Sequence, residues 1–377
     1  MKIIQLQKSA ATHWKYLTKK QVLVNPLVFI FGNRKLLEAK TIYHEIRDLF
    51  PNGELVFGST CGDIAGESVR DNCITITAIE FEKTAFEVKT SNVLQSDLDS
   101  FTTGKNLISQ FSKEKLKYIF IVSEGSFING SELVKGMNKG GENRVLITGG
   151  LCGDDTRCEK TVSSYNEAPK QGEIVAIGFY SDSLEVSFSI YGGWTPFGPE
   201  RIVTKSKANI LFELDNKPAL DLYKKYLGEK SKELPGAALL YPLKLKSEDK
   251  KQSIVRSILN IDEQNSAMIL AGDIPENSKV QLMMTNIDHI ANASEKAATQ
   301  ALLHRKNKPE LAILISCIGR KLVLDQRIEE EIEEVIAVVG KKTTLFGFYS
   351  YGEIAPFNEE ISCQLHNQTM TVTLLSE

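Results

Sequence analysis

Gly58-Ser59-Thr60-Cys61-Gly62-Asp63-Ile64 returns twice further along the chain, as Gly149-Gly150-Leu151-Cys152-Gly153-Asp154-Asp155 and as Phe348-Tyr349-Ser350-Tyr351-Gly352-Glu353-Ile354. Each copy sets a thiol or an aromatic residue before a glycine and a carboxylate. Such a repeat fixes the unit from which the fold is built. Upstream of each copy stands a short apolar run, at residues 27–31, 118–122 and 311–315, of the kind found in strands covered on both faces. Small or charged residues follow: Gly32-Asn33-Arg34, Ser123-Glu124-Gly125 and Ser316-Cys317-Ile318-Gly319-Arg320. A helical stretch comes next, clearest over 35–50 and 324–339, where Ile328, Ile332, Val335, Ile336 and Val339 recur at helical spacing. After each turn a third strand is expected, at 73–79, 173–179 and 370–374; in the last, Thr371 and Thr373 alternate with Met370, Val372 and Leu374. The unit reads strand, helix, strand, turn, strand. Its first half is a parallel crossover and its second an antiparallel return, so the fold class is α/β with mixed sheets flanked by helices.

A chain of 377 residues exceeds what one core usually serves, and two lobes are expected, 1–198 and 199–377. The first two turns fall in the first lobe and the third in the second. The boundary is placed in residues 194–207, where Gly192, Gly193, Pro196, Gly198 and Pro199 punctuate the chain. Residues 199–288 do not repeat. They hold a helix at 218–227, opened by Pro218 and closed before Gly228, and a polar stretch at 244–252 that reads as a loop or edge between strands at 253–261 and 266–270.

Composition narrows the function. The chain is 42% hydrophobic and 25% charged, with no apolar run near the roughly 18 residues of a membrane span, and no basic, apolar leader at its start. A net charge of −3 offers no basic face for a phosphate backbone, so nucleic acid is not an expected partner. Six scattered cysteines without a CxxC pair read as reduced thiols of a cytoplasmic protein. No zinc-type spacing occurs, so no metal is called, and Thr103-Gly104-Lys105 lacks the upstream glycine of a phosphate loop. No cofactor is expected. The five histidines stand in unrelated contexts and support no Cys-His pair. The acidic run 329–334 reads as the solvated face of its helix.

The glycine-acid turns lie where strands of an α/β sheet end, which is where ligands gather in such folds. Candidate ligand-binding residues are Gly58, Ser59, Thr60, Cys61, Gly62 and Asp63 from the first turn, Gly150 and Asp154 from the second, and Cys317, Arg320, Tyr349, Tyr351 and Glu353 from the third. Arg320 offers a planar fork to a carboxylate and Glu353 a counter-charge to an amine, a pairing suited to a zwitterion; an Arg320–Glu353 salt bridge closing a structural corner is the competing reading. Cys317, beside Arg320, is the thiol best placed for a lowered pKa, with a buried, inert cysteine as the alternative.

These residues carry a family resemblance. Gly58 to Ile64 resembles the G-C-S-T-A-G-E-I signature of the FIST N-terminal domain, with Ser59 at the family's cysteine, Cys61 at its alanine and Asp63 for its glutamate. Gly149-Gly150, Asp154-Asp155 and Gly192-Gly193-Trp194 resemble the later part of that domain. Ser316-Cys317-Ile318-Gly319-Arg320 and Gly347-Phe348-Tyr349-Ser350-Tyr351-Gly352-Glu353-Ile354 resemble the S-C-x-G-R and G-F-Y-T-Y-G-E-I runs of the FIST C-terminal domain. The resemblance implies an intracellular sensory module that binds a small molecule, an amino acid or related metabolite, and signals through a separate output protein. A thiol-dependent enzyme using Cys317 or Cys61 is the alternative.

Overall fold

A computed structural model describes residues 1–246, 252–358 and 360–377. The three expected units are present. In each, two parallel strands are joined by a helical crossover: Leu27–Gly32 with Glu54–Ser59, Leu116–Ser123 with Leu146–Leu151, and Leu311–Cys317 with Thr344–Ser350. The returning strands Cys73–Glu80, Glu173–Tyr180 and Met370–Ser376 pair antiparallel to the first of these. A fourth strand, which the sequence reading omits, flanks each return: Lys2–Ser9, Ala85–Asn92 and Glu185–Tyr191.

The three sheets stand around one shared core. Phe29 and Phe31, Tyr118 and Phe120, and Ile313 and Ile315 point into it, while the residues between them, Val28 and Ile30, Ile119 and Ile121, Ala312 and Leu314, face each unit's own helices. This alternation explains why the strands are apolar throughout, since a strand's side chains point to opposite faces and here both are buried. Phe29 meets Phe120 edge-on at 5.6 Å and Phe346 at 5.0 Å, so aromatic contacts join all three sheets.

The turns are not kept within their own units. The hairpin of Asp63–Ala65 and Ser68–Arg70 leaves the first unit and pairs with Thr344–Ser350 of the third. The hairpin of Gly352–Pro356 and Cys363–His366 leaves the third and pairs with Leu146–Leu151 of the second. Ser163–Tyr165 of the second unit pairs with Glu54–Ser59 of the first. The exchange is cyclic, so the turns expected in separate lobes are built into one another's sheets.

Residues 194–207, where the lobe boundary is expected, form the strand Thr195–Lys207, which accommodates Gly198 and Pro199 at a register shift between Phe197 and Arg201. This strand opens an inserted domain with an eight-stranded antiparallel sheet and its own core around Val203, Leu211, Tyr223, Leu243 and Met268. Its helix is Ala219–Leu227, capped at Pro218. The polar stretch 244–252 begins in the strand Leu243–Lys246, and its residues 247–251 lie outside the described residues.

Two helices depart from expectation. The stretch 35–50 divides into Arg34–Leu37 and Ile42–Leu49. The inward residues are Arg34 and Leu37, then Ile42 and Ile46, a phase that slips by one residue from a continuous 3.6-residue stripe. The stretch 324–339 begins earlier, as Ile318–Leu324 straight from the strand end, and breaks at Asp325, whose φ is 47°, before Glu330–Val339.

Close backbone approach governs the second strand of a unit. A Cβ on Gly347 would stand 1.7 Å from the carbonyl oxygen of Leu314, while one on Gly236 would meet nothing within 4 Å. Gly347→Ala is therefore expected to cost at least the upper end of the ~1–3 kcal/mol typical of overpacking, and Gly236→Ala far less. Urea unfolding midpoints of the two variants check this.

Candidate functional site

Equivalent backbone bonds mark where each unit's strands end. The N–H groups of Asn33, Glu124 and Cys317 donate to the carbonyls of Cys73, Glu173 and Thr369 at 2.9, 2.9 and 3.2 Å. The residues before those carbonyls, Asn72, Gly172 and Gln368, all have positive φ, at 51°, 76° and 64°. Three equivalent junctions result.

In the first, Asp63 is buried and accepts from Thr60 Oγ1 at 2.6 Å and from Cys73 Sγ at 3.7 Å. In the third, Glu353 is buried and accepts from Ser350 Oγ at 2.6 Å and from Thr369 through N at 3.1 Å and Oγ1 at 2.8 Å. Burial pushes both carboxyls up to about 7, against the hydrogen bonds that favour the charged form. The second junction differs. Gly153, not Cys152, occupies the place of Cys61 and Tyr351, because the N–H groups of Cys61, Tyr351 and Gly153 make the equivalent bonds to Tyr349, Leu151 and Ser59. Residues 154–161 then intervene before Val162 and Ser163 rejoin the pattern, with Ser163 opposite Gly58 where Asp63 is opposite Phe348. Asp154, aligned in sequence with Asp63 and Glu353, is not their structural counterpart but an ion-pair centre for Arg34 at 2.9 Å and Arg157 at 2.6 Å, which hold its carboxyl below the usual range against the upward push of burial.

The expected residues are placed as follows. Gly58, Ser59, Thr60 and Gly150 are buried strand-end residues. Thr60, Cys61, Gly62 and Asp63 line a small cleft with Asp71 and Asn72, crossed by Lys321, whose Nζ donates to Cys61 O at 2.6 Å and pairs with Asp71. Tyr351 is half-buried and donates to Asp155 O at 2.9 Å. Arg320 does not pair with Glu353. It is wholly buried against Glu331, with Nη2 at 2.7 Å and Nε at 3.1 Å, and also donates to Gly192 O, Ile290 O and Ser294 Oγ. Tyr349 donates to the same Glu331 carboxylate. Glu331 belongs to the run read as solvated, and it is fully buried because the early start of the helix Ile318–Leu324 carries Arg320 beneath it. Cys317 and Cys61 are buried, and burial pushes both thiols up, the opposite of what a nucleophile needs.

Sequence reasoning missed the residues that complete the third junction. The side-chain amide of Asn367 is fully buried, and among the described residues neither its Nδ2 nor its Oδ1 has a hydrogen-bond partner. Gln368 Nε2 donates to Leu239 O at 2.8 Å and Ser257 Oγ at 3.0 Å, both in the inserted domain. The signal was available: Asn367-Gln368-Thr369 is the counterpart of Asp71-Asn72-Cys73 in the repeat.

Beside this junction a half-open cavity of about 490 Å³ lies between the two domains, within the range of small-molecule sites. Its walls include Val134 and Lys135 of the helix Gly130–Gly140, Leu365 of the exchanged hairpin, and Leu245, Ile254 and Arg256 of the inserted domain. A wider and more open groove of about 560 Å³ runs along Tyr241, Met284 and Leu322.

These features define a two-domain α/β protein of interlocked mixed sheets with a cavity at the domain junction. Residues 26–217 match the FIST N domain and residues 219–356 the FIST C domain, and the chain belongs to this family. FIST domains are sensory domains of signal transduction. The chain is also similar to an uncharacterised protein of Methanocaldococcus jannaschii, 23% identical over 374 residues that cover 87% of this chain and 69% of that protein. Among the described residues no helix is long and apolar enough to cross a membrane.

Two tests follow from the buried charges. An unfolded carboxyl titrates near pH ~4, so between pH ~4 and the folded value of about 7 the native state keeps protons that the unfolded state has released, and stability falls as pH rises through that window. Glu353→Gln lacks this titration while keeping an acceptor for Thr369 and a donor for Ser350. Its stability relative to wild type should rise from pH 5 to pH 8 in urea unfolding; a constant difference would show that Glu353 titrates normally. Separately, Arg320→Ala strands the buried Glu331 charge and should cost ~3–5 kcal/mol, whereas Arg320→Met combined with Glu331→Leu should cost less than either single change. A double-mutant cycle by denaturant unfolding reads the coupling.

Proposed function

We propose that this chain is a cytoplasmic sensory protein that takes a small metabolite between its threefold body and its inserted domain, and reports occupancy to a separate output protein. The observation that carries the reading is the cavity of about 490 Å³ walled by both domains. A ligand there can act because the wall is mechanically connected. Arg256 Nη1 donates to Leu365 O at 2.9 Å, and Leu365 lies in the hairpin that leads through Asn367 to Gln368, the residue that clasps the inserted domain. A ligand that fits one arrangement of the domains better than another shifts their population by that difference in affinity. In this reading the candidate residues Cys317 and Glu353 position the junction behind the cavity. The thiol-enzyme alternative is opposed by the burial of Cys317 and Cys61.

Thermal unfolding against a panel of amino acids and organic acids tests the proposal. A true ligand raises Tm with concentration, by about 2.7 kcal/mol of stabilisation at 100 times Kd, and the effect should vanish in Ile254→Trp, which fills the cavity from its wall. A panel that produces no shift, or a shift that survives in Ile254→Trp with its circular dichroism intact, would reject the site.

A further inference from the structure

The same cavity is bordered by a buried cation. Arg256 is 4% exposed, yet among the described residues no carboxylate comes within ion-pair distance of it. Its guanidinium lies against Gly272, where a Cβ would stand 2.9 Å from Nε. Its protein partners are neutral: Leu365 O at 2.9 Å, Asp273 O at 3.3 Å, Val255 O at 3.4 Å and Ser131 Oγ at 3.5 Å. Only the first is a short bond, and among the described residues Nη2 has no better acceptor than the distant serine. A buried cation normally costs several kcal/mol unless it is paired, and burial draws this guanidinium down to about 10.

The nearby charged side chains make their direct contacts with one another. The carboxylate of Asp273 accepts from Asn129 Nδ2 at 2.9 Å and pairs with Lys135 at 3.1 Å, and Lys135 also pairs with Glu132 at 2.5 Å. Lys139 is exposed to solvent. Among the described residues the Arg256 guanidinium thus has no carboxylate in direct contact, feeling Asp273 only through space, and it stands at the cavity wall among apolar side chains that include Val134, Leu245, Ile254 and Leu365.

We infer that the cavity takes a small amphipathic monoanion, its carboxylate held by the Arg256 guanidinium and its apolar body against the surrounding side chains. Arginine's planar fork suits a carboxylate, and a charge-assisted bond in a desolvated site is stronger than one in water. A single unpaired cation favours one negative charge over the two of a phosphate monoester. Both oxygens of the Asp273 carboxylate are engaged, one by Asn129 and one by Lys135, so an added ammonium must compete with Lys135 for its counter-charge. This inference rests on the cavity being the ligand site and adds the chemical class of the ligand.

The test uses an isosteric series with the full chain: 3-phenylpropanoate, 3-phenylpropan-1-ol, 3-phenylpropylamine and phenylalanine, titrated by calorimetry. The carboxylate should bind saturably at one site per chain, and the other three at least ~10-fold more weakly, as the loss of one charge-assisted bond implies. Arg256→Met should abolish that preference while the chain stays folded, because it replaces a buried unpaired charge by an apolar chain of similar length. Arg256→Lys should retain part of it, which keeps the test open should the methionine variant fold poorly. No saturable binding of the carboxylate, an equal affinity for the alcohol or amine, tighter binding of phenylalanine, or a preference unchanged in Arg256→Met would each overturn the inference. Ile254→Trp separates the two levels: if it blocks neutral or cationic ligands found by the metabolite panel, the cavity stands and the anion falls, whereas ligand binding untouched by Ile254→Trp removes the cavity itself.

Discussion

Three backbone hydrogen bonds close the molecule on itself: Cys61 N to Tyr349 O at 2.9 Å, Tyr351 N to Leu151 O at 3.1 Å, and Gly153 N to Ser59 O at 2.9 Å. Each joins the turn of one unit to the sheet of another, and together they run from the first unit to the third, the third to the second and the second to the first. A sheet edge carries unpaired donors and acceptors that must be satisfied or shielded. Here each unit's edge is satisfied by the next unit's hairpin, so no unit is complete alone. The shared aromatic core around Phe29, Phe120 and Phe346 is the apolar counterpart of this exchange. Its contacts join segments far apart in the chain, whose closure entropy must be met before the core forms.

Burying those hairpins also buries polar side chains, and the protein handles this by local satisfaction. Asp63 and Glu353 each receive a hydroxyl from three residues earlier, Thr60 and Ser350, and a second donor from the returning strand, Cys73 or Thr369. The same short side chains therefore serve the turn and the neighbouring strand at once. The second unit does without a carboxylate at this position: Ser163 donates to Glu173 O at 2.6 Å, and a buried acid enters instead as Glu124, held by the N–H groups of Ser126 and Phe127. Where a full charge is kept inside, at Arg320 and Glu331, every strong donor of the guanidinium finds an acceptor, the condition under which a buried pair is tolerable.

What the sequence made legible was local. The apolar strands, the parallel crossovers and the antiparallel returns follow from period and from the repeat, since a strand such as 27–31 or 311–315 reads the same wherever it is placed. The exchange of hairpins was not legible, because pairing Asp63–Ala65 with its own sheet or with Thr344–Ser350 requires the same side chains. The site was half legible for the same reason. Glu353 and Cys317 stand out by motif, but the partner of Arg320 is Glu331, which sits in an acidic run where Glu329 and Glu333 are exposed and Glu330 and Glu334 half-buried. Composition cannot separate one inward glutamate from outward neighbours. Arg256 lies in the unrepeated segment, where no second copy of the motif drew attention to it.

The insertion singles out one of the three related junctions. It departs after the edge strand Glu185–Tyr191 and returns through the helix Ile287–Leu302 before Leu311–Cys317, so the third unit alone is opened between its edge strand and its first parallel strand. The two family domains meet between residues 217 and 219, inside this insertion, where the strand Lys217–Pro218 gives way to the helix Ala219–Leu227. Neither family domain is therefore a closed structural body: each supplies part of the inserted domain, and each lends a hairpin to sheets begun by the other. The third junction is the one clasped from above, through Gln368 to Leu239 and Ser257, and its own hairpin forms the floor of the neighbouring cavity at Leu365. The threefold body by itself offers three related junctions, none of them covered. The inserted domain breaks that equivalence at a single junction, and it brings to that place the one buried arginine whose charge the rest of the described protein leaves unpaired.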